Sequence, residues 1–402
     1  MKRNRCSTPL GTKDLVLEES VTRRDMEAKL SGLFLRRGFS EVMTPGFEFL
    51  DVFMGENPAV PVESMYKMTD TKGRLMVMRP DSTLPIARLA ATRFQNATRP
   101  LRLYYAQDVY HMNVGLTGRA DQEFQAGVEL IGAEGLRADL EIVRLAATAL
   151  REVVGDGFRL EIGHVGFFEA LMEELDADAS VEEEIRDLIE GKNYAALSEL
   201  LDSLTPCPAV AALRRLPHLF GDRRVLEKAK ALCRSERGTQ SLRYLDSVLS
   251  ALAALGLEDR VLLDLGMLHS NEYYTGLIFR GYVEGSGEIA LSGGRYDALL
   301  QQFGTAEAAV GFAISVDALM RVLKKSGAMT ACAVRPHCLV HAEEGFEVKA
   351  LNLVREYTEQ ETPCEFSVFA TAEEARAYAR EKAISVLYVV GETVQKYDVV
   401  EE

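Results

Sequence analysis

The chain has 402 residues, 47% hydrophobic and 27% charged, an ordinary balance for a globular protein that buries a large core in two or three units. Asp and Glu outnumber Lys and Arg by 61 to 46, a formal charge of −15, which argues against an extended nucleic-acid surface, because phosphate binding draws on clustered basic residues. No apolar run is long enough to span a bilayer, and the opening MKRNRCSTPLG holds no apolar signal core, so a cytoplasmic protein is expected.

After TPLGTKD, the apolar spacing of Val21, Met26, Leu30, Leu33 and Phe34 predicts a helix from Leu17 to Gly38. FSEVMTPGFEFLDVF reads as a strand bent at Pro45. MYKMTDTKGRLMVM is a hairpin turning at Lys72-Gly73, and a helix begins near Ser82. Asp81 stands where it can cap that helix. LRLYYAQDVYHMNVGLTGRADQEFQAGVELIG reads as strand, loop with Gly118 and Arg119, and returning strand. The two-residue period puts Gln125 and Glu129 on one face, and a buried carboxylate on a central strand is costly unless it is paired, which favours a ligand-facing role.

A helix over Leu136–Val154 and a strand running from LEIGH into another helix follow. His164 at that strand end reads as a satisfied turn residue rather than a ligand. Helical pattern with breaks at Gly191, Pro206, Pro208 and Gly221 fills Val181–Leu255, a helical insertion at about 178–256 with no chemistry of its own. The stretch Val261–Leu319 then reads as strands at Leu262–Gly266, Gly276–Val283, Glu288–Ser292 and Val310–Ser315, the last leading into a helix over Val316–Leu323. Gly293 and Gly294 would let the backbone pass close to a bound small molecule before Tyr296 and Asp297 open a helix. Beyond Gly327 strands and helices alternate, and residues 328–402 form a separate small α/β domain after a main domain over 1–327. Cys6, Cys207, Cys233, Cys332, Cys338 and Cys364 lack any C-x-x-C pair, so reduced thiols are expected rather than a zinc site or a disulfide framework.

The segments EYYTG, LSGGRYDALLQQFG and AVGFAISVDAL, in that order, resemble the histidine-binding and third class II motifs of the histidyl-tRNA synthetase family. The Pro45 segment resembles motif 1 and the strand-loop-strand resembles motif 2. The resemblance implies an α+β fold: a class II aminoacyl-tRNA synthetase-like antiparallel sheet flanked by helices, with the helical insertion and a C-terminal domain like a shortened anticodon-binding domain. It also implies a homodimer through motif 1. On the amino-acid side it implies that Asp81 and Thr83 hold an α-ammonium group, that Gln125 and Glu129 take the ammonium and imidazole ends of histidine, and that Tyr273 and Tyr274 complete the pocket.

On the ATP side the match fails. Three positions that carry arginines in the synthetases are His111, His269 and Ala318 here, and the motif 2 glutamate is Asn113. Neutral imidazole cannot reproduce a bidentate guanidinium contact and alanine makes none; losing even one such donor costs about a hundredfold or more in rate. A histidine side kept and an ATP side lost resembles the synthetase-like regulatory subunits of ATP phosphoribosyltransferase. That resemblance implies no catalysis by this chain, no cofactor or metal, a short catalytic subunit as partner in the first step of histidine synthesis, and L-histidine as feedback effector. Two other readings stay open: an active histidyl-tRNA synthetase, and a synthetase-like scaffold without a ligand.

Overall fold

The computed structural model describes residues 6–55, 60–113, 120–268, 273–330 and 336–399. The chain divides into two compact units, Met1–Met329 and Thr330–Glu402. The first begins with α1 (Glu18–Arg36), β1 (Ser40–Glu41), β2 (Phe47–Phe49), β3 (Lys67–Thr69), β4 (Leu75–Met78), α2 (Thr83–Thr92), β5 (Leu101–Tyr110) and β6 (Gln122–Ile131). Next come α3 (Gly135–Val154), β7 (Phe158–His164), α4 (Val165–Leu175), α5 (Ala179–Glu190), α6 (Tyr194–Ser203), α7 (Pro208–Arg215), β8 (Phe220–Gly221), α8 (Arg224–Leu232) and α9 (Glu236–Ala254). It closes with β9 (Val261–Asp264), β10 (Leu277–Val283), β11 (Ile289–Arg295), β12 (Ala309–Ser315) and α10 (Val316–Ser326).

Among the described residues these strands build a sheet in the order β1-β5-β6-β12-β11-β10-β7-β9-β8. Its centre, from β5 to β7, is antiparallel throughout. Strand alternation sends Ala126, Val128 and Leu130 to one face, into a core that includes Met26, Leu30, Leu33 and Phe34 of α1 and Ile142 and Leu150 of α3. Gln125 and Glu129 therefore face the other side, where α2 contributes to a second cluster with Leu101, Tyr105 and Ile278. The helical stretch α5–α9 has no core of its own. Ile185, Leu213, Leu242 and Leu245 belong to the same apolar cluster as the first face of the sheet, and the two-residue β8 pairs with β9 at the sheet edge.

Pro45 does more than bend a strand. The segment splits into β1, which runs parallel to β5 in the large sheet, and β2, which pairs with β4 in a separate three-stranded sheet. Pro45 has no N–H to continue a ladder, and the carbonyls of Thr44 and Pro45 accept instead from the Arg79 guanidinium at 2.7 and 2.9 Å. Tyr296 and Asp297 likewise open no α-helix; a short 3-10 turn, Leu299–Phe303, follows them. His164 ends β7 as a satisfied cap, its Nδ1 accepting the Gly166 N–H at 3.1 Å.

The second unit has β13 (Cys338–Ala342), α11 (Glu347–Glu359), β14 (Cys364–Phe366), α12 (Ala372–Glu381), β15 (Val386–Val390) and β16 (Val394–Asp398). The sheet order is β14-β13-β15-β16, with β16 antiparallel. Leu339, Leu387 and Val389 pack against α12, while Val340 and Val390 pack with Ala350 of α11, so one helix covers each face. Cys338 and Cys364 are register partners, their sulfurs 3.1 Å apart as thiols. Among the described residues no helix is long and apolar enough to cross a membrane, and no group of side chains has a metal-ligand arrangement.

Candidate functional site

On the face of the sheet away from α1 lies a cavity of about 220 Å³, lined by residues from seven stretches of chain, small beside the roughly 300–1,000 Å³ of drug-sized sites. The turn after β4 contributes Pro80, Asp81 and Thr83; β6 contributes Gln125 and Glu129; the chain entering β10 contributes Tyr273 and Tyr274. All six residues that the sequence puts on the amino-acid side meet here. His111, beyond the end of β5, also lines the cavity.

The turn is set by Arg79, which is buried at 4% exposure and spends its guanidinium on main-chain carbonyls of Thr44, Pro45 and Asp108. Asp81 Oδ1 accepts the Leu84 N–H at 2.8 Å, so it does cap α2. The two readings of Asp81 are compatible, because capping engages one oxygen and the side chain still lines the cavity. Burial pushes its carboxyl up to about 6 against the opposing pull of the helix-start N–H groups and Arg79.

Glu129 is the most constrained group. It is 2% exposed; Thr83 donates to Oε1 at 2.8 Å and the Tyr296 hydroxyl donates to Oε2. Its register partner on β12 is Gly311, where an added Cβ would sit 1.9 Å from Glu129 Oε2. Burial pushes the Glu129 carboxyl from 4.5 up to about 8, with Asp81 adding to the rise, while the hydrogen bonds from Tyr296 and Thr83 pull the other way. The rings of Tyr273, Tyr274 and Tyr296 pack together with centroids 4.8 to 6.5 Å apart.

Tyr296 and Ser292 line the cavity without having been singled out from sequence. The signal lies in the GGRYD box, where the sequence pattern points to the glycines as the ligand-facing residues. They do something else: an added Cβ at Gly294 would meet the Tyr274 ring at 2.7 Å and one at Gly293 would meet the Gly311 carbonyl at 2.5 Å. These glycines admit neighbouring protein groups, and Tyr296 reaches the cavity instead.

The nucleotide side is differently furnished. His111 is drawn below its usual range by burial and is neutral near pH 7. Asn113 is occupied with its own loop, donating to Ala120 O at 2.8 Å and Asp121 Oδ1 at 3.2 Å. Ala318 is buried at the start of α10, its N–H capped by Ser315 Oγ at 3.1 Å. His269, Gly118 and Arg119 lie outside the described residues. No Lys or Arg is among the described residues lining the cavity, so the site offers acceptors and aromatic faces, an arrangement suited to a small cationic or donor-rich molecule.

The Glu129 proton makes stability depend on pH. The unfolded chain releases it near 4.5 and the folded chain near 8, so its stabilising contribution is complete below the first value and lost as pH rises through the second. The melting temperature of the ligand-free protein should therefore fall between about pH 4.5 and 8 and level off above that, and Glu129→Gln should flatten that fall. Equal slopes for the two proteins in differential scanning calorimetry would contradict the assignment.

The sequence profile of the histidyl-tRNA synthetase family matches residues 11–319. The chain is 37% identical over 388 residues to the ATP phosphoribosyltransferase regulatory subunit of Clostridium botulinum, covering 96% of this chain and 91% of that one. Among solved structures it is similar to an ATP phosphoribosyltransferase regulatory subunit/histidyl-tRNA synthetase from Bacillus halodurans, with 28% identity, a TM-score of 0.83 and coverage of 94% and 97%. The fold is also that of histidyl-tRNA synthetase from a Nostoc species, with 18% identity, a TM-score of 0.72 and coverage of 98% and 95%.

Proposed function

The chain belongs to the ATP phosphoribosyltransferase regulatory-subunit family, a non-catalytic branch of the histidyl-tRNA synthetase fold, and from that premise we propose that its cavity is a receptor for free L-histidine. In this reading the protein assembles with a short catalytic subunit that condenses ATP with phosphoribosyl pyrophosphate in the cytoplasm, and histidine bound here restrains that reaction. One observation carries it: Glu129, clamped by Thr83 and Tyr296, sits with Asp81 in a cavity of amino-acid size, while His111 and Ala318 occupy two of the positions where a synthetase holds ATP with arginine.

Asp81, Thr83 and Gln125 are the acceptors for the ammonium group, and Glu129 meets the imidazole between the Tyr273 and Tyr274 rings. Feedback then requires that histidine bind two states of the complex with different affinity, since a ligand with equal affinity for both shifts nothing. A homodimer through the motif 1 region is supported by exposed Met43, Phe47, Phe49 and Leu75 around the β2-β4-β3 sheet, an apolar group of the kind that marks contact surfaces.

The direct test mixes the purified chain with a short ATP phosphoribosyltransferase. The chain alone should sediment as a dimer at micromolar concentration and co-elute with the catalytic subunit in a larger complex. Independent elution of the two proteins, at any ratio, would sink the reading.

A further inference from the structure

The second unit holds a pair of thiols that the histidine reading does not use. Cys338 opens β13 and Cys364 opens β14, neighbouring parallel strands in which these two residues are register partners. The His337 N–H donates to the Pro363 carbonyl at 2.8 Å just before them, and the Ser367 N–H donates to the Val340 carbonyl at 2.8 Å just after. Main-chain bonds on both sides therefore hold the thiols opposite each other. Neighbouring strands lie about 4.7–4.9 Å apart, inside the roughly 4.4–6.8 Å that a disulfide spans between Cα atoms. The sulfurs are already 3.1 Å apart, with the Cys338 thiol donating to Cys364 Sγ, so a bond of about 2.05 Å asks them to close by only about 1 Å.

The two thiols differ in access. Cys338 is fully buried, whereas Cys364 is half-buried on β14, an outer strand of the sheet. Burial pushes both thiols above their usual range, and for Cys364 the hydrogen bond from Cys338 pulls the other way. Because the thiolate is the nucleophile, Cys364 is the group that attacks an oxidant and Cys338 the one that follows. The other described cysteines belong to the first unit: Cys6, Cys207 and Cys233, whose Sγ is 3.6 Å from the Ser235 carbonyl.

We propose that Cys338 and Cys364 are a reversible modification site, closing to a disulfide when the protein meets a low-molecular-weight disulfide oxidant. The Cys364 thiolate attacks one sulfur of the oxidant, forming a mixed disulfide and releasing one small thiol. Cys338 then gives up its proton and attacks Cys364 Sγ, which forms the Cys338–Cys364 bond and expels the second small thiol. Two protein thiols are oxidised, one small disulfide is reduced, and the two protons end on the released thiols. The new bond closes a loop that contains the whole of α11 and ties the three-residue edge strand β14 to β13. This site is independent of the histidine reading, since neither cysteine lines the cavity and both lie in the other unit.

The test exposes the native full chain carrying Cys332→Ser to glutathione disulfide, blocks the remaining thiols with iodoacetamide in denaturant, and maps the tryptic peptides. Cys332 is replaced because no trypsin site separates it from Cys338, Arg335 being followed by Pro336. The peptides holding Cys338 and Cys364 should become linked, lose alkylation together, and regain it with dithiothreitol. Adding Cys338→Ser should stop the reaction at a glutathione adduct on Cys364, and adding Cys364→Ser should leave the buried Cys338 a free thiol. The linked peptide decides the question even where a single variant folds poorly. If both cysteines stay alkylatable while the exposed Cys6 takes up glutathione, or if Cys364 keeps its adduct without passing it to Cys338, the proposal is overturned.

Discussion

Replacing Arg295 with methionine should destabilise the protein by about 3–5 kcal/mol, the range for stripping one partner from a buried ion pair. Asp139 on α3 is fully buried and receives Arg295 Nε at 2.9 Å and Nη2 at 2.5 Å, with the Tyr244 hydroxyl of α9 donating to its other oxygen. Arg295 also donates to the Ala133 carbonyl at 3.1 Å and to Asp297 at 2.9 Å. Removing the guanidinium leaves Asp139 charged in a dry interior and unties the end of β11 from α3, with the Tyr244 hydroxyl as the remaining donor to Asp139. The residues beside it explain why the site would suffer as well, because Gly294 abuts the Tyr274 ring and Tyr296 holds Glu129. Urea unfolding measures the loss. The double variant Asp139→Leu with Arg295→Met should cost clearly less than the sum of the single changes, since an apolar pair carries no stranded charge. A loss below about 1 kcal/mol for Arg295→Met would mean that Asp139 finds another partner or simply protonates.

The second large effect is on binding. Glu129→Ala should weaken L-histidine by about tenfold or more, because it removes a charge-assisted hydrogen bond worth about 1.5–3 kcal/mol. Stability should not follow affinity. In the empty site burial holds the carboxyl near pKa 8, so the group is protonated at neutral pH, and its removal takes away no buried charge that the fold depends on. A ligand that brings a cation or an N–H donor changes this, since the carboxylate form then has a partner. Calorimetric titration of both proteins with histidine, beside their melting curves, separates a ligand-facing Glu129 from a merely structural one. Equal dissociation constants would assign it the structural role.

Much of the scaffold is legible in the sequence because single physical patterns dominate it. The period-two alternation along Gln122–Ile131 assigns Gln125 and Glu129 to one face before any neighbour is known, and the apolar spacing of Met26, Leu30, Leu33 and Phe34 marks the buried side of α1. What stays hidden depends on partners far along the chain. Pro45 reads as a bend, yet the split between β1 and β2 is fixed by Arg79, 34 residues away, donating to the carbonyls that a strand would have used. Gly293 and Gly294 read as room for a ligand, but the room is filled by Gly311, Phe312 and the Tyr274 ring. Tyr296 escapes notice for the same reason, since its role depends on Glu129, 167 positions earlier. Local spacing also shows no reason for the α5–α9 stretch to merge with the main core, because its leucines look alike whether they pack on one another or on the sheet.

The central claim is that this chain is a histidine-responsive, non-catalytic partner of a short ATP phosphoribosyltransferase, and the most direct measurement is formation of phosphoribosyl-ATP by the reconstituted pair with increasing L-histidine. With the wild-type chain present, activity should exceed that of the catalytic subunit alone and should be suppressed by histidine; with Glu129→Ala, suppression should need at least about tenfold more histidine. Activity indifferent to the added chain, or suppression at the same histidine concentration with both variants, would contradict the account.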